Sequence, residues 1–129
     1  LAAALGLGQI EQCDYFIEQK SKLTDKYKAF FADKDIEFFV EPENCRSNYW
    51  LNAVILKDRE ERDAFLTYTN DNGVMTRPIW LLNNKLDMYR GCQRGDLSNS
   101  QWLEDRVVNI PSTVIIPDYY ENIKKGLYK

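Results

Sequence analysis

The sequence contains no histidine among its 129 residues. A chain without imidazole cannot form a catalytic triad or dyad that uses histidine as the base. It also lacks the side chain that most catalytic metal sites use. Any chemistry that these residues perform must therefore come from carboxylates, lysine, tyrosine or a bound cofactor.

Cysteine is scarce, and long apolar runs are missing. The three cysteines, Cys13, Cys45 and Cys92, are odd in number and widely spaced, so they indicate neither a disulfide framework nor a zinc site. This cysteine usage is typical of the reducing cytoplasm, where we expect the protein. No apolar run approaches the ~20 residues of a membrane span. A formal net charge of −3 argues against a nucleic-acid-binding surface.

The first third of the chain has the pattern of one long helix. Residues 1–10, LAAALGLGQI, carry no charge and are apolar on every side. From Ile10 to Phe31 the apolar residues recur at spacings of three and four, with Lys20 as the one break. These patterns predict a helix over residues 2–32, roughly 45 Å long. Because such a helix overhangs a compact domain, we expect residues 1–32 to link a preceding large domain to a small C-terminal domain over residues 33–129.

Four later segments have the composition of β-strands. They are Ile36–Val40, Tyr49–Leu56, Val74–Arg77, which Pro78 ends, and VVNIP at residues 107–111. Since no long parallel crossovers separate them, they predict an α+β fold. We expect a small, mostly antiparallel sheet that packs on the long N-terminal helix and on shorter helices.

The first of the shorter helices is predicted from its end signals. Asp58 and Glu61 form a capping-box variant at its start, and Asn72-Gly73 is a left-handed C-cap. The residues predicted to point inward from this helix are Ala64, Phe65, Tyr68 and Thr69.

The C-terminal third combines irregular chain with two further helices. Residues 80–95 are predicted to be irregular, with one helical turn near Leu86–Tyr89. Ser98 and Gln101 form a second capping box, for a helix that runs through Arg106. Pro117 opens a last amphipathic helix, which Tyr119 and Tyr120 are expected to dock.

Several conspicuous side chains fit a packing or solvated role better than a chemical one. Gly6 and Gly8 begin a dinucleotide-binding fingerprint, but Glu11 takes the third glycine position and no strand precedes it. The carboxylate pairs Glu41 with Glu43 and Asp33 with Asp35 are expected to be solvated. Residues expected in the core are Cys13, Trp50 and Trp102.

The segment GVMTRPIW at residues 73–80 is open to two interpretations. Arg77 presents an anion-binding fork and Trp80 a stacking surface, so together they could hold a nucleotide. Alternatively, Arg77 is a surface charge beside a core tryptophan.

Five motifs in register resemble the DegT/DnrJ/StrS sugar aminotransferases. The segment that links the two domains of that family is matched by Ala3, Ala4, Gly6, Gln9, Ile10, Glu11, Lys20 and Tyr27. SNYWLNAVIL, GVMTRPIW, MYRGCQRGDLSNSQWL and VVNIPST follow in the order of the family's C-terminal domain. The resemblance covers nearly the whole chain, and the branch it is most similar to acts on bacterial nucleotide sugars, including the legionaminic-acid pathway.

This resemblance implies an aminotransferase that depends on pyridoxal 5′-phosphate (PLP). Such an enzyme aminates a keto group on a nucleotide-linked sugar, with glutamate as donor, for bacterial surface-sugar biosynthesis. It further implies a homodimer, with the Schiff-base lysine and most of the phosphate-binding residues in the large N-terminal domain. No catalytic or cofactor-binding residue is therefore assigned to this chain, and we expect the chain to be inactive by itself.

The same resemblance implies four substrate-binding residues. Arg77 and Trp80 match the family's T-R-P-x-W, as contacts to phosphate or sugar and as a pocket wall. WLLNNKLDMY stands where the family commonly has W-x-x-x-H-K-L-P-M-Y, so Asn84 replaces histidine and Asp87 replaces proline, whereas Tyr89 is retained. Asn84 can hydrogen-bond a sugar hydroxyl, but an amide cannot act as an acid or base near neutral pH.

A second hypothesis treats the chain as a stand-alone acidic module. Its apolar N-terminal helix would then dock a protein partner or a second copy. A hydrolase that uses carboxylates is the weakest alternative, because no acid/base pair falls in a recognisable pocket.

Overall fold

The computed structural model describes residues 1–114. The helix predicted from Pro117, with Tyr119 and Tyr120, lies outside this range. Within it, helices and strands alternate around one small sheet, which confirms the α+β prediction. No helix in the described range is both long enough and apolar enough to cross a membrane.

Two helices occupy the segment predicted to form one. Helix α1 spans Ala2–Glu11 and helix α2 spans Cys13–Phe31, separated at Gln12, which has φ −105° and ψ 3°. The last turn of α1 tightens there, because the Gln12 N–H donates to Gln9 O, three residues back, at 3.2 Å. The predicted extent is therefore right and the predicted continuity is wrong. None of the α1 side chains is buried, whereas α2 packs on the sheet.

Lys20, the break in the apolar stripe of α2, ties three segments together. Its Nζ donates to the carbonyl oxygens of Tyr49 and Trp50, each at 3.4 Å, and of Ser112 at 2.9 Å. One turn further along, the fully buried Thr24 Oγ1 donates to Asn52 Oδ1 at 2.9 Å. Polar positions on the inner face of α2 thus fix the helix against the sheet.

The described residues form one antiparallel sheet with strand order β1-β2-β4-β3. The strands are β1 Glu37–Phe38, β2 Asn52–Ile55, β3 Arg77–Pro78 and β4 Val107–Ile110. The core between the sheet and α2 contains Phe31, Val54, Leu56, Val108 and Ile110.

Two strand boundaries differ from the prediction for backbone reasons. Strand β2 begins at Asn52, because Tyr49 has a φ of 46° and cannot continue an extended strand. Strand β3 includes Pro78, which was predicted to end it, and pairs it with Val108. Proline is tolerated there because β3 is an edge strand, whose outer side needs no N–H donor.

Helix α3, Arg59–Asp71, confirms its predicted ends but not its whole inner face. The Asp58 side chain accepts from Glu61 N at 2.9 Å, and Gly73 with a φ of 78° follows the C-cap. Ala64 and Tyr68, predicted to point inward, are exposed. The buried position is instead Arg62, whose guanidinium donates to the carbonyl oxygen of Glu104 and to the Asp63 carboxylate.

Helix α4, Ser98–Glu104, starts without the predicted capping box. Ser98 is already inside the helix, and its N–H and hydroxyl both donate to the Asp96 carboxylate, at 3.0 and 2.7 Å. The preceding Asp96 thus takes the anchoring role assigned to Ser98. The helix ends at Glu104, two residues before the predicted Arg106.

Three side chains predicted in the core are exposed: Cys13, Trp50 and Trp102. Cys13 lies in the first turn of α2, next to the unburied α1. Trp102 lies on the surface, where the Arg106 guanidinium covers its ring at 4.6 Å from the centroid. Trp50 follows the left-handed Tyr49, and its position is described below with the candidate site.

Candidate functional site

A cleft of about 500 Å³ lies between the irregular segment after β3 and the start of α4. Its lining residues are Leu81, Leu82, Asn83, Asn84, Tyr89, Cys92, Gln93, Arg94, Leu97 and Ser100. Leucines form an apolar part of this wall, and amide, hydroxyl and guanidinium groups form the rest. A few polar groups on a largely apolar wall are typical of small-molecule sites, where they orient the ligand.

Asn84 and Tyr89, two of the predicted substrate residues, meet in this cleft. Two short 3₁₀ turns, Asn83–Lys85 and Asp87–Tyr89, present them. Each turn is closed by a backbone hydrogen bond of 2.9 Å, from Lys85 N to Leu82 O and from Tyr89 N to Leu86 O. The side-chain amide and the phenol can both donate to and accept from sugar hydroxyls.

A buried carboxylate holds this segment against α4. Glu104, only 7% exposed, accepts from the Leu82 N–H at 3.2 Å and from the ammonium group of Lys85. Burial by itself raises the pKa of Glu104, but the hydrogen bonds from Lys85 and Leu82 outweigh it and lower the pKa below its ordinary value. The ionised form of Glu104 therefore belongs to the folded arrangement of the cleft wall.

Trp80 lies outside the cleft, although the next residue, Leu81, lines it. The indole of Trp80 is 75% exposed, and its ring centroid is 6.1 Å from that of Trp50, which is 63% exposed. The sequence predicted Trp50 in the core because it falls within the predicted strand Tyr49–Leu56. No local signal indicates the left-handed backbone at Tyr49 that delays the start of the strand, since tyrosine rarely adopts this conformation.

Arg77 also lies outside the cleft, on edge strand β3 opposite Asn109. Its guanidinium is exposed, with Nη2 at 3.6 Å from the sulfur of Met75. Among residues 1–114, the carboxylates that form ion pairs do so with other cations. The structure thus groups Asn84 with Tyr89 in the cleft and places Trp80 against Trp50, with Arg77 apart from the cleft.

Besides Asn83, three polar cleft residues were not singled out from the sequence: Gln93, Arg94 and Ser100. Arg94 supplies the cleft's one guanidinium among the described residues, and the family-like segment MYRGCQRGDLSNSQWL contains all three. That family-like segment was the sequence signal that could have identified them as cleft residues. An arginine in a glycine-containing loop otherwise looks like an ordinary solvated charge.

Three of the described lysines are already engaged in contacts within this structure. Burial lowers the pKa of Lys20, as nucleophilic chemistry requires, but its Nζ is already bound to three backbone carbonyls. A hydrogen bond to the Tyr49 hydroxyl raises the pKa of Lys28, and Lys85 is paired with Glu104. No step through the cofactor is assigned to these three lysines.

Comparison with known proteins identifies similar chains in nucleotide-sugar enzymes. The chain is 30% identical over 117 residues to GDP-perosamine synthase of Vibrio cholerae. The aligned region covers 87% of this chain and 31% of that protein. It is 29% identical over 89 residues to GDP-perosamine synthase of Escherichia coli O157:H7, covering 69% and 24%. The chain thus spans about a third or less of the length of these relatives. Neither name belongs to the legionaminic-acid pathway, and that branch stays a prediction.

Solved structures share the fold at low identity. The aminotransferase TlmJ of Streptoalloteichus hindustanus superposes with a TM-score of 0.80 at 19% identity, over 96% of this chain and 33% of that one. The E. coli GDP-4-keto-6-deoxy-D-mannose-3-dehydratase, solved with bound hydrated PLP, has a TM-score of 0.72 at 19% identity, over 98% and 34%. A family model matches residues 1–120 as well, and the chain belongs to the DegT/DnrJ/EryC1/StrS aminotransferase family.

Proposed function

We propose that this chain is the C-terminal part of a PLP-dependent aminotransferase that converts the keto group of a nucleotide-linked sugar to an amine, with glutamate as donor. The observation that carries the proposal is the cleft in which Asn84 and Tyr89 meet, in a chain of this family. The reaction is balanced, since glutamate gives its amino group and becomes 2-oxoglutarate while the sugar ketone becomes an amine.

The cofactor belongs, in this proposal, to a part of the enzyme outside the described residues. PLP carries the amino group between donor and sugar. Lys20, Lys28 and Lys85 are engaged in other contacts, and similar proteins are about three times as long as this chain. The chain alone is accordingly inactive, and the active protein is a cytoplasmic homodimer.

The relatives favour a GDP-linked substrate over other nucleotide sugars. Both curated relatives are named for a GDP sugar, as is the E. coli dehydratase. We assign the product to bacterial surface-sugar biosynthesis.

The cleft residues bind and orient in this reaction, without moving protons. Asn84 and Tyr89 hydrogen-bond sugar hydroxyls, and Arg94 gives the same cleft a positive charge suited to a phosphate. Trp80 shapes the entrance next to Leu81, and Arg77 offers an exposed fork to the diphosphate. Because an amide does not titrate near neutral pH, Asn84 sets the orientation of the sugar and leaves proton transfer to other groups.

The test uses the full-length protein with PLP, glutamate and GDP- or UDP-linked keto sugars, and measures 2-oxoglutarate formation. We expect Asn84→Ala to raise the KM for the sugar about 10-fold, because one or two hydrogen bonds are lost. Asn99→Ala is the matched control, since Asn99 is exposed on α4 and does not line the cleft. A wild-type protein that forms no 2-oxoglutarate with any keto nucleotide-sugar contradicts the proposal.

The second candidate, a stand-alone interaction module, rests on helix α1. Its large apolar side chains Leu5, Leu7 and Ile10 are 66%, 60% and 72% exposed, which indicates a surface that is covered by another chain segment or protein. In an aminotransferase this helix packs against the rest of the enzyme. The module reading is favoured if α1 variants lose a protein partner while no transamination is measurable.

A further inference from the structure

Two tryptophans that come from separate parts of the sequence meet on the surface of this domain. Trp50 precedes β2 and is 63% exposed; Trp80 follows β3 and is 75% exposed. Their ring centroids are 6.1 Å apart and their planes are inclined by 43°. Large aromatic rings contribute most when buried, so an exposed pair of indoles indicates a binding surface.

The backbone holds Trp50 in this exposed position. Tyr49 is buried and has a φ of 46°, a left-handed conformation that costs energy for a bulky residue. Its N–H donates to Ser47 Oγ at 3.0 Å, and the Trp50 N–H donates to Asn48 Oδ1 at 3.0 Å. Lys20 binds the carbonyl oxygens of both residues. Such strain persists only where the surroundings impose it, and here it displays an indole.

Trp80 is positioned by backbone contacts that lie before and after it in the chain. The strand before it, Arg77–Pro78, pairs with β4, and the Leu82 N–H after it is bound by Glu104. The residue between, Leu81, lines the 500 Å³ cleft. Trp80 is thus next in sequence to a cleft-lining residue, and it lies against Trp50, which lines a separate depression together with Lys20 and Asn48.

We propose that Trp50 and Trp80 form a stacking platform for the nucleobase of the nucleotide sugar, which deepens the proposed function and rests on it. The sugar occupies the cleft, and the base lies on the outward face of the indole pair. The gap between the indoles admits no base, because a ring between two others needs about 7 Å, twice the carbon contact distance. Stacking on an aromatic side chain corresponds to roughly 5- to 150-fold in affinity.

The experiment compares four variants of the full-length, PLP-loaded protein: Trp50→Ala, Trp50→Phe, Trp80→Ala and Trp102→Ala. Trp102 is the matched control because it is also exposed, at 46%, but its ring is covered by Arg106 and borders a separate depression with Lys34 and Glu61. Calorimetric titration measures the Kd of GDP, UDP and inorganic pyrophosphate, and steady-state assays measure kcat and KM. Size-exclusion chromatography and thermal melting record assembly and folding.

We expect Trp50→Ala and Trp80→Ala to raise the Kd of the nucleoside diphosphate and the KM of the sugar at least 5-fold, with kcat within about twofold. Pyrophosphate binding stays unchanged, Trp50→Phe restores most of the affinity, and Trp102→Ala behaves as wild type. Because the Phe variant keeps an aromatic ring, it also tests the platform if Trp50→Ala fails to fold: a Kd near the wild-type value supports stacking, and a fully lost affinity overturns it.

An unchanged Kd for nucleoside diphosphates in folded Trp50→Ala and Trp80→Ala overturns the platform, even when amination persists and the proposed function stands. Wild-type protein that binds no nucleoside diphosphate overturns it as well. If the alanine variants change the oligomeric state and leave the Kd unchanged, the indole pair is a contact between copies and the proposal is wrong. Absent amination with intact, tryptophan-dependent binding contradicts the proposed function and leaves the platform standing.

Discussion

The carboxylate of Glu104 accepts a hydrogen bond from the backbone N–H of Leu82, 22 residues earlier in the chain, at 3.2 Å. The same carboxylate pairs with Lys85, so two points of the segment on either side of Asn84 are attached to the last residue of α4. Asn84 lies between these two points. Glu104 is therefore a positioning residue for Asn84, although it does not line the cleft itself.

Glu104→Gln is expected to raise the KM for the nucleotide sugar about 5- to 10-fold with a smaller effect on kcat. The amide keeps the volume of the side chain but removes the charge that holds Lys85, so the turn with Asn84 loses its anchor. Steady-state kinetics on the full-length protein measure this split, with Glu43→Gln, an exposed loop residue, as control. Equal KM values for both variants would show that Glu104 positions nothing.

Acid is expected to weaken the fold through the same carboxylate. The pKa of Glu104 is lowered in the folded protein, so its stabilising effect is complete above the ordinary value of 4.5. This stabilisation is lost as the pH falls from the ordinary pKa through the lowered pKa of the folded state. In that range the unfolded chain binds a proton at Glu104 that the folded chain does not. The difference in free energy of unfolding between wild type and Glu104→Gln, from urea denaturation at pH 7 down to pH 3, should shrink. A difference that is constant with pH contradicts this assignment.

Lys20→Met is expected to lower the free energy of unfolding by about 2–3 kcal/mol. Methionine preserves the stem but leaves the carbonyl oxygens of Tyr49, Trp50 and Ser112 without their charged donor. Lys22→Met is the control, since Lys22 forms an exposed pair with Glu18 and its loss costs about 0.5 kcal/mol or less. Similar denaturation midpoints for the two variants would show that the hydrogen bonds of Lys20 do not stabilise the contact between these segments.

Gly73→Ala is expected to destabilise the protein by about 1–2 kcal/mol. Gly73 has a φ of 78°, which a Cβ disfavours even though nothing lies within 4 Å of its position. Gly91→Ala provides the contrast, because Gly91 has equal space and no left-handed φ. Thermal melting distinguishes them, and a Gly73→Ala variant as stable as Gly91→Ala would show that helix α3 ends without a conformational requirement.

The sequence predicts the fold class because the determining signals are local. Short runs of apolar and β-branched residues mark β2 and β4, and Asp58 and Gly73 mark the ends of α3. The errors arise where a contact with a residue far away in the sequence determines whether a side chain is buried. Arg62 is buried because it donates to the carbonyl oxygen of Glu104, 42 residues away, and no pattern within α3 reveals that partner.

The candidate site was predicted in part, for a related reason. The family-like motif identifies Asn84 and Tyr89, which both line one cleft. Nothing in the motif distinguishes Arg94 from the other charged residues of its loop. Trp50 was missed because its exposure depends on a strained backbone at Tyr49, stabilised by contacts from Ser47 and Lys20. Whether these residues bind substrate stays a prediction.

The strand order β1-β2-β4-β3 has a consequence for synthesis on the ribosome. Strand β4, the last of the described strands, lies between β2 and β3, and edge strand β3 pairs with β4 alone among them. Before Val107–Ile110 emerge, only the β1–β2 pair can form, and Val108 and Ile110 are missing from the core. Because contacts between distant segments form slowly, this domain completes folding late in translation. Until then, nascent chains expose the unpaired edge of β2, to which another chain could add a strand.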